Sequence, residues 1–166
     1  MKNIVLVGFM ASGKSVVGKL LAKKLDRDFV ELDAIIEAKE KMPISDIFDK
    51  KGEPYFRSME REVAEEASAM KGVVIAAGGG AIVDEKNFAS FKRNGIIICL
   101  KASPETILNR TKGLKTRPLL NVPDPKKQIQ ELLAKRESSY SKADFSIDTD
   151  ALSVEQVTSE IIKRLT

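Results

Sequence analysis

The stretch Gly8-Phe9-Met10-Ala11-Ser12-Gly13-Lys14-Ser15, near the start of the chain, combines two glycines, a lysine and a hydroxyl group at fixed spacing. The glycines lack the Cβ atoms that block positive φ and close backbone approach, so successive N–H groups can turn inward around an anion. Lys14 can then reach the β- and γ-phosphate oxygens of a nucleoside triphosphate, and the Ser15 hydroxyl can bind a Mg²⁺ ion that bridges them. The stretch predicts a phosphate-binding loop, or P-loop.

The segments on either side of this loop can position it. The apolar run at 4–7 is typical of a buried strand, and the periodic segment at 16–22 is typical of a helix that ends near Leu25 and Asp26. The helix N-terminus would add its partial positive charge to the loop. We therefore expect the strand-loop-helix arrangement in which a P-loop binds a nucleoside triphosphate.

Further candidate residues follow two other apolar runs. The run at 29–33 ends in Asp33, and the run at 72–77 leads directly into Gly78-Gly79-Gly80. Ligands of parallel α/β sheets bind at the carboxyl ends of the strands, so Asp33 is expected beside the P-loop. Three consecutive glycines are costly in chain entropy unless the backbone must approach another group closely.

Four arginines could hold anions at this edge of the sheet. They are Arg57, Arg110, Arg117 and Arg136. A guanidinium group offers a rigid fork for a carboxylate or a phosphate. One triphosphate does not require so many guanidinium groups, which suggests that the phosphoryl acceptor is itself an anion. The segment 111–124 lacks apolar periodicity and carries several cations, so we expect a mobile lid that closes over phosphates.

The hydrophobic pattern predicts an α/β fold with five parallel strands covered by helices on both faces. The predicted strands are the runs at 4–7, 29–33, 72–77, 96–100 and 144–148. Helices are expected at 84–93, from Ser103 onward, at 125–140 and at 153–165, and the largely helical segment 34–70 is broken near Pro43 and Gly52. A length of 166 residues suits one domain over 1–166.

Composition excludes several kinds of site and partner. The chain has no histidine, which excludes a Ser-His-Asp triad and His-ligated zinc, and its one cysteine, Cys99, lies in an apolar run. A net charge of +4 with dispersed basic residues suits small anionic ligands better than nucleic acid. No apolar stretch approaches membrane-spanning length and no leader segment precedes the first strand. We expect a cytoplasmic monomer.

These residues leave several phosphate-handling functions open, because a P-loop occurs in ATPases, GTPases and small-molecule kinases. A guanine-reading Asn-Lys-x-Asp segment is absent, and the chain is short for a motor ATPase. A small kinase is favoured by the acid after the second strand, the helical insert and the cationic lid.

The sequence resembles the shikimate kinase family, within the nucleoside-monophosphate-kinase-like P-loop proteins. Six motifs in order carry the resemblance over essentially the whole chain. They are the P-loop at 8–15, Leu32-Asp33 with Ile36-Glu37, the stretch 47–60 ending Gly52-Glu53-Pro54-Tyr55-Phe56-Arg57-Ser58-Met59-Glu60, the glycine triplet, Arg117-Pro118-Leu119-Leu120, and Arg136-Glu137-Ser138-Ser139-Tyr140.

The resemblance implies a three-layer P-loop kinase fold with an acceptor-binding insert at about 33–61 and a lid at about 111–124. It also implies phosphorylation of the 3-hydroxyl of shikimate by ATP with Mg²⁺, a step towards chorismate and the aromatic amino acids. The implied ATP-binding residues are Ala11, Ser12, Gly13, Lys14, Ser15, Val16, Arg110 and Arg117. The implied acceptor-binding residues are Asp33, Arg57, Gly79 and Arg136, and the implied catalytic residues are Asp33, Lys14 and Arg117.

One departure concerns the metal. The family usually has Asp-Thr-Asp where this chain has Glu31-Leu32-Asp33, so Ser15 is assigned to the metal and Glu31 is given no metal role. Two alternatives stay open from the residues: a kinase of another small acceptor, such as gluconate or a nucleoside monophosphate, and a nucleotide-binding module without turnover.

Overall fold

The computed structural model describes residues 1–114 and 118–166 of the chain. The strands in this part are β1 (Asn3–Val7), β2 (Phe29–Glu31), β3 (Val74–Ala76), β4 (Gly95–Lys101) and β5 (Phe145–Asp148). The helices are α1 (Lys14–Leu25), α2 (Leu32–Glu40), α3 (Ile44–Lys51), α4 (Glu53–Ala69), α5 (Glu85–Asn94), α6 (Pro104–Thr111), α7 (Pro125–Tyr140) and α8 (Val154–Leu165). The described strands form one parallel sheet in the order β2-β3-β1-β4-β5, which confirms the predicted α/β class.

Strand β1 lies at the centre of the sheet and is buried along its whole length. Its side chains alternate between the two faces, as the pleat of a strand requires. Ile4 and Leu6 belong to the core cluster that includes residues of α1 and α8. Val5 and Val7 belong to the cluster on the other face, with residues of α2, α3, α4, α5 and α7. The sheet is therefore the middle of three layers.

Several helix ends lie where the sequence predicts them. Helix α1 ends at Leu25, and Asp26 adopts the left-handed conformation with φ 53°. The Ser103 hydroxyl accepts a hydrogen bond from the Thr106 amide at the start of α6. Ser153 and Gln156 form a reciprocal capping box at the start of α8.

The second strand is shorter than predicted. Its pairing with β3 ends at Glu31, and Leu32 begins helix α2, so Asp33 lies in the first turn of a helix and not at the end of a strand. A carboxylate is favourable there because the first turn carries the positive end of the helix dipole. The predicted helical segment 34–70 contains α2, α3 and α4; Pro43 precedes α3, and Gly52, with φ 84°, separates α3 from α4.

The predicted lid begins where helix α6 ends, at Thr111. Beyond it, Pro118–Leu120 forms a short 3-10 turn. Leu120 is buried with Phe9 and Ile129, so this end of the segment packs beside the P-loop. Arg117, the predicted lid arginine, lies outside the described residues.

No helix in residues 1–114 and 118–166 has the length and apolar character needed to cross a membrane.

Candidate functional site

A cavity of about 740 Å³ opens at the carboxyl ends of the strands. Its lining includes the predicted site residues Ala11, Ser12, Gly13, Lys14, Ser15, Val16, Asp33, Arg57, Gly79, Arg110 and Arg136. These residues come from the P-loop, α1, α2, α4, α6, α7 and the segment after β3. Of the predicted site residues that the structure describes, all lie around this cavity.

The P-loop occupies one end of the cavity. Gly8 has φ 142°, and a Cβ atom at this position would lie 2.3 Å from the carbonyl oxygen of Leu100, so only glycine fits. Helix α1 begins directly after Gly13, without a side-chain cap on its first N–H groups. These N–H groups and the positive end of the helix dipole can therefore bind an anion.

Two cationic side chains contact the backbone of the loop. The Lys14 ammonium donates hydrogen bonds to the carbonyl oxygens of Gly8, at 2.8 Å, and Phe9, at 2.9 Å. Arg110, in the last turn of α6, donates from Nη1 to the carbonyl oxygen of Ala11 at 2.8 Å. Both positive groups thus lie against the loop and add positive charge beside the expected site of a nucleotide.

The Ser15 hydroxyl donates a hydrogen bond to the Glu31 carboxylate. Glu31 is the last residue of β2, and both side chains line the cavity. A hydroxyl and a carboxylate supply the hard oxygen ligands that Mg²⁺ prefers. Within the described residues no group of three or more Asp, Glu, His or Cys side chains could hold a metal ion. Ser15 and Glu31 could therefore hold a metal ion together, although the sequence interpretation gave a metal role to Ser15 alone.

Arg57 lies near the start of α4, at the other end of the cavity. Its Nη1 atom donates to Glu60 Oε1 at 2.9 Å, and its Nη2 atom donates to Glu53 Oε1 at 3.3 Å. Asp33 projects into the same cavity from the first turn of α2. Guanidinium and carboxylate groups therefore meet at this end, which we call the acceptor end.

Glu60 is a residue of this site to which the sequence interpretation gave no role, although its spacing of three from Arg57 on a helix was a signal. Its side chain is only 1% exposed. Burial raises the pKa of the Glu60 carboxyl; the Arg57 guanidinium opposes the shift, and the neighbouring Asp33 carboxylate adds to it. Glu60 therefore fixes Arg57 in place at a cost in desolvation.

Arg136 reaches the acceptor end from the last turns of α7 and is 6% exposed. Its guanidinium lies over the ring of Phe9, with 5.3 Å between Cζ and the ring centroid. The Nη1 atom is buried and has no hydrogen-bond partner among the described residues. A buried charged donor in this state costs free energy, which indicates that a ligand supplies the missing acceptor.

Neighbouring groups approach the glycine triplet closely, which is the kind of contact that three consecutive glycines predict. A Cβ atom on Gly79 would lie 3.4 Å from Arg136 Nη1 and 3.2 Å from the amide nitrogen of Met10. A Cβ atom on Gly80 would lie 2.8 Å from Arg57 Nη2. A larger residue at Gly80 would therefore push against Arg57, and one at Gly79 would press first on the P-loop backbone at Met10.

The two ends of the cavity have complementary chemistry. One end offers amide N–H groups, cations and oxygen ligands for a nucleoside triphosphate and its metal. The other end offers two guanidinium groups for an anion and a carboxylate, Asp33, that can accept a hydrogen bond from a hydroxyl group. This arrangement can transfer a phosphoryl group to a hydroxyl of a small anionic molecule.

Comparison with known proteins gives a consistent result. The family model described as shikimate kinase matches residues 10–166. A shikimate kinase from Thermodesulfovibrio yellowstonii is 50% identical over 163 residues, which cover 98% of this chain and 94% of the relative. One from Caldanaerobacter subterraneus subsp. tengcongensis is 45% identical over 163 residues, covering 98% of this chain and 95% of the relative.

Solved structures show the same likeness. A shikimate kinase from Acinetobacter baumannii in complex with shikimate superposes with a TM-score of 0.97 at 37% identity, covering 99% of this chain and 93% of that chain. A gluconokinase from Sinorhizobium meliloti superposes with a TM-score of 0.59 at 18% identity, covering 99% of this chain and 95% of that chain, which shows a shared fold alone.

Proposed function

The chain belongs to the shikimate kinase family, and we propose that its cavity transfers the γ-phosphoryl group of ATP to the 3-hydroxyl of shikimate. The product, shikimate 3-phosphate, leads to chorismate and the aromatic amino acids. The observation that carries the proposal is the buried Nη1 atom of Arg136, which has no acceptor among the described residues and lines the same cavity as the P-loop. The carboxylate of shikimate would supply that acceptor.

The acceptor would be oriented by groups on three sides. Arg57 and Arg136 would bind the shikimate carboxylate, because a guanidinium group binds a carboxylate with paired hydrogen bonds. The Gly79 backbone would contact the ring, and Asp33 would accept hydrogen bonds from the ring hydroxyls. Such positioning supplies much of the rate enhancement in phosphoryl transfer.

The donor would bind to residues 11–16, with its phosphates on the P-loop and the N-terminus of α1. Lys14 would stabilise negative charge on the transferring group, and Arg110 would lie beside the nucleotide. Arg117, on the lid, would close over the phosphates and exclude water. Ser15 would bind Mg²⁺, and Glu31, through its contact with Ser15, would hold the ion or one of its waters. The ion would neutralise charge on the β- and γ-phosphates.

The reaction would proceed by in-line displacement. The 3-oxygen of shikimate forms a bond to the γ-phosphorus while the bond from that phosphorus to the bridging oxygen breaks, and ADP leaves with the bonding electron pair. Asp33 takes the proton of the attacking hydroxyl.

A panel of acceptors tests the proposal. The purified chain is supplied with ATP, Mg²⁺ and one of shikimate, gluconate or a nucleoside monophosphate, and ADP release is followed in a coupled assay. We expect ADP with shikimate only, and none after chelation of the metal. ADP release with gluconate and none with shikimate would show that gluconate, not shikimate, is the acceptor. ATP binding without product from any acceptor would indicate a nucleotide-binding module without turnover.

Arg136→Ala tests the carboxylate-binding role within this assay. We expect the KM for shikimate to rise by about 10- to 150-fold, since hydrogen bonds to charged groups contribute ~1.5–3 kcal/mol. The KM for ATP should stay nearly constant. Equal losses for both substrates would contradict the assignment.

We further propose that the enzyme works as a monomer in the cytoplasm. In support, a single copy of the chain brings the P-loop, Asp33, Arg57 and Arg136 around one cavity. Light scattering at enzyme concentrations that give full activity tests the oligomeric state, and a dimer with activity lost on dilution would contradict it.

A further inference from the structure

Tyr140, at the end of α7, makes a hydrogen bond that no function described above uses. Its hydroxyl donates to the carbonyl oxygen of Gly79 at 2.6 Å, across 61 residues of sequence. The side chain is 3% exposed and packs in the core cluster on this face of the sheet. The hydrogen bond therefore joins the helix that carries Arg136 to the glycine triplet.

The carbonyl groups of the triplet are held in different ways. The Gly78 oxygen accepts from the Ala81 amide at 3.1 Å, and the Gly80 oxygen accepts from the Val83 amide at 3.2 Å. The Gly79 oxygen accepts from the side chain of Tyr140. Tyr140 thus supplies the contact that a short 3-10 turn at Ala81–Val83 gives the other two carbonyls.

This contact sets the orientation of one peptide plane. A trans peptide is planar, with its C=O and N–H groups on opposite sides. Fixing the Gly79 oxygen on the α7 side therefore turns the Gly80 N–H to the opposite side of the Gly79–Gly80 peptide. Glycine has unusual rotational freedom, so a peptide between two glycines needs an external contact to stay in one orientation.

We propose that Tyr140 is a positioning residue for the acceptor: its hydroxyl fixes the Gly79–Gly80 peptide against which Arg57 and Arg136 are aligned. The geometry supports this because the peptide lies against both side chains: a Cβ atom added to Gly80 would clash with Arg57 Nη2 at 2.8 Å, and one added to Gly79 would be in ordinary contact with Arg136 Nη1 at 3.4 Å. A rotation of this peptide would therefore change the main-chain surface that both guanidinium groups lie against.

The phenol stays a hydrogen-bond donor across the working pH range. Burial raises the pKa of Tyr140 to about 12, and the positive charge of Arg136 and a hydrogen bond with its side chain oppose the rise. The hydroxyl therefore keeps its proton, and its contact with Gly79 persists wherever the enzyme is folded and active.

The inference rests on the proposed function, and Tyr140→Phe tests it. The substitution removes one oxygen and leaves the ring in the core. We expect kcat/KM for shikimate to fall about tenfold, equivalent to ~1.4 kcal/mol. The KM for ATP should change by less than about twofold, as for a substitution outside its site. A role confined to stability would lower the melting temperature and leave kcat/KM for shikimate unchanged.

Tyr55→Phe is the matched control. Tyr55 is the other tyrosine of the chain, and its hydroxyl donates to Glu40 Oε1 at 2.7 Å. This variant loses a phenolic hydrogen bond of similar length that does not touch the glycine triplet. We expect both KM values to match those of the unmodified chain.

The outcomes separate the inference from the proposed function. If the unmodified chain releases no ADP with shikimate, the proposed function is wrong. Suppose instead that the unmodified chain releases ADP with shikimate while Tyr140→Phe changes kcat/KM for shikimate and for ATP equally, or changes neither. In that case the positioning role is wrong.

A second measurement tests the proposal if the Tyr140→Phe variant does not fold. The Tyr55→Phe chain is labelled with 3-fluorotyrosine, which places the single fluorine probe at Tyr140. We expect its ¹⁹F resonance to shift when shikimate is added and to shift less with ADP alone. A resonance insensitive to saturating shikimate would overturn the proposal.

Discussion

Substitution of Gly80 by alanine gives the sharpest test of the acceptor end. Gly80 has φ −100° and ψ 0°, a conformation that alanine adopts, so the change introduces no strained backbone at this residue. The added Cβ atom would lie 2.8 and 2.9 Å from Arg57 Nη2 and Nη1 and 3.1 Å from Cζ. The contact is with the end of a long side chain, so we expect the protein to fold and Arg57 to move.

The size of the effect follows from that displacement. An ordinary contact begins near 3.4 Å, so the nearest guanidinium nitrogen must retreat by about 0.6 Å. Such a shift breaks the paired geometry that a guanidinium needs to bind a carboxylate. Hydrogen bonds to charged groups contribute ~1.5–3 kcal/mol, so kcat/KM for shikimate should fall about 10- to 150-fold. The KM for ATP should not change.

The assay is a double-mutant cycle with Arg57→Ala, read out as kcat/KM for shikimate. Since Gly80→Ala acts through Arg57, it should cost little more in a chain that already lacks the guanidinium group. Thermal unfolding of each variant checks that it is folded at the assay temperature. Equal losses from Gly80→Ala in the presence and absence of Arg57 would refute the steric reasoning.

Three further outcomes follow from the site and the core. Asp33→Asn should lower kcat by about 10²- to 10⁴-fold, the range for loss of a positioned proton acceptor, while a fluorescent ADP analogue still binds. Burial raises the pKa of Glu60. Above the ordinary carboxyl pKa the folded state therefore keeps a proton that the unfolded state has released, and the free energy of unfolding falls as pH rises through that window. Glu60→Gln should lack this fall in denaturant titrations at successive pH values. Burial also raises the pKa of Cys99 to about 11, so a thiol reagent at pH 8 should label it only after unfolding.

The sequence was most informative where one stretch of chain determines its own geometry. The P-loop is such a case, because Gly8, Gly13 and the following helix create the N–H cradle locally. Cap residues are another, since Ser103 and Ser153 accept hydrogen bonds from amides three residues ahead. The five strands were predictable because a parallel sheet buries both faces and leaves continuous apolar runs.

Contacts between distant residues could not be predicted in this way. The hydrogen bond from Tyr140 to Gly79 and that from Arg110 to Ala11 span 61 and 99 residues. Neither leaves a local pattern. Asp33 lies at the cavity as predicted, but its place in a helix was missed because the run at 29–33 is too short to separate strand from helix by periodicity. There the helix dipole and the end of pairing with β3 decide the boundary.

The ion pair between Arg57 and Glu60 is better explained by binding than by stability. The Glu60 side chain is 1% exposed and the Arg57 side chain 22% exposed. Removing a carboxylate from water costs several kcal/mol, and the attraction to one partner repays this incompletely. An apolar pair of similar volume would fold at least as well. What it could not do is hold a guanidinium group at the cavity, with Nη1 bound to Glu60, Nη2 bound to Glu53, and further N–H donors left for a carboxylate ligand. The desolvation of Glu60 is therefore a cost of keeping Arg57 ordered before the acceptor arrives, which lowers the entropy lost on binding.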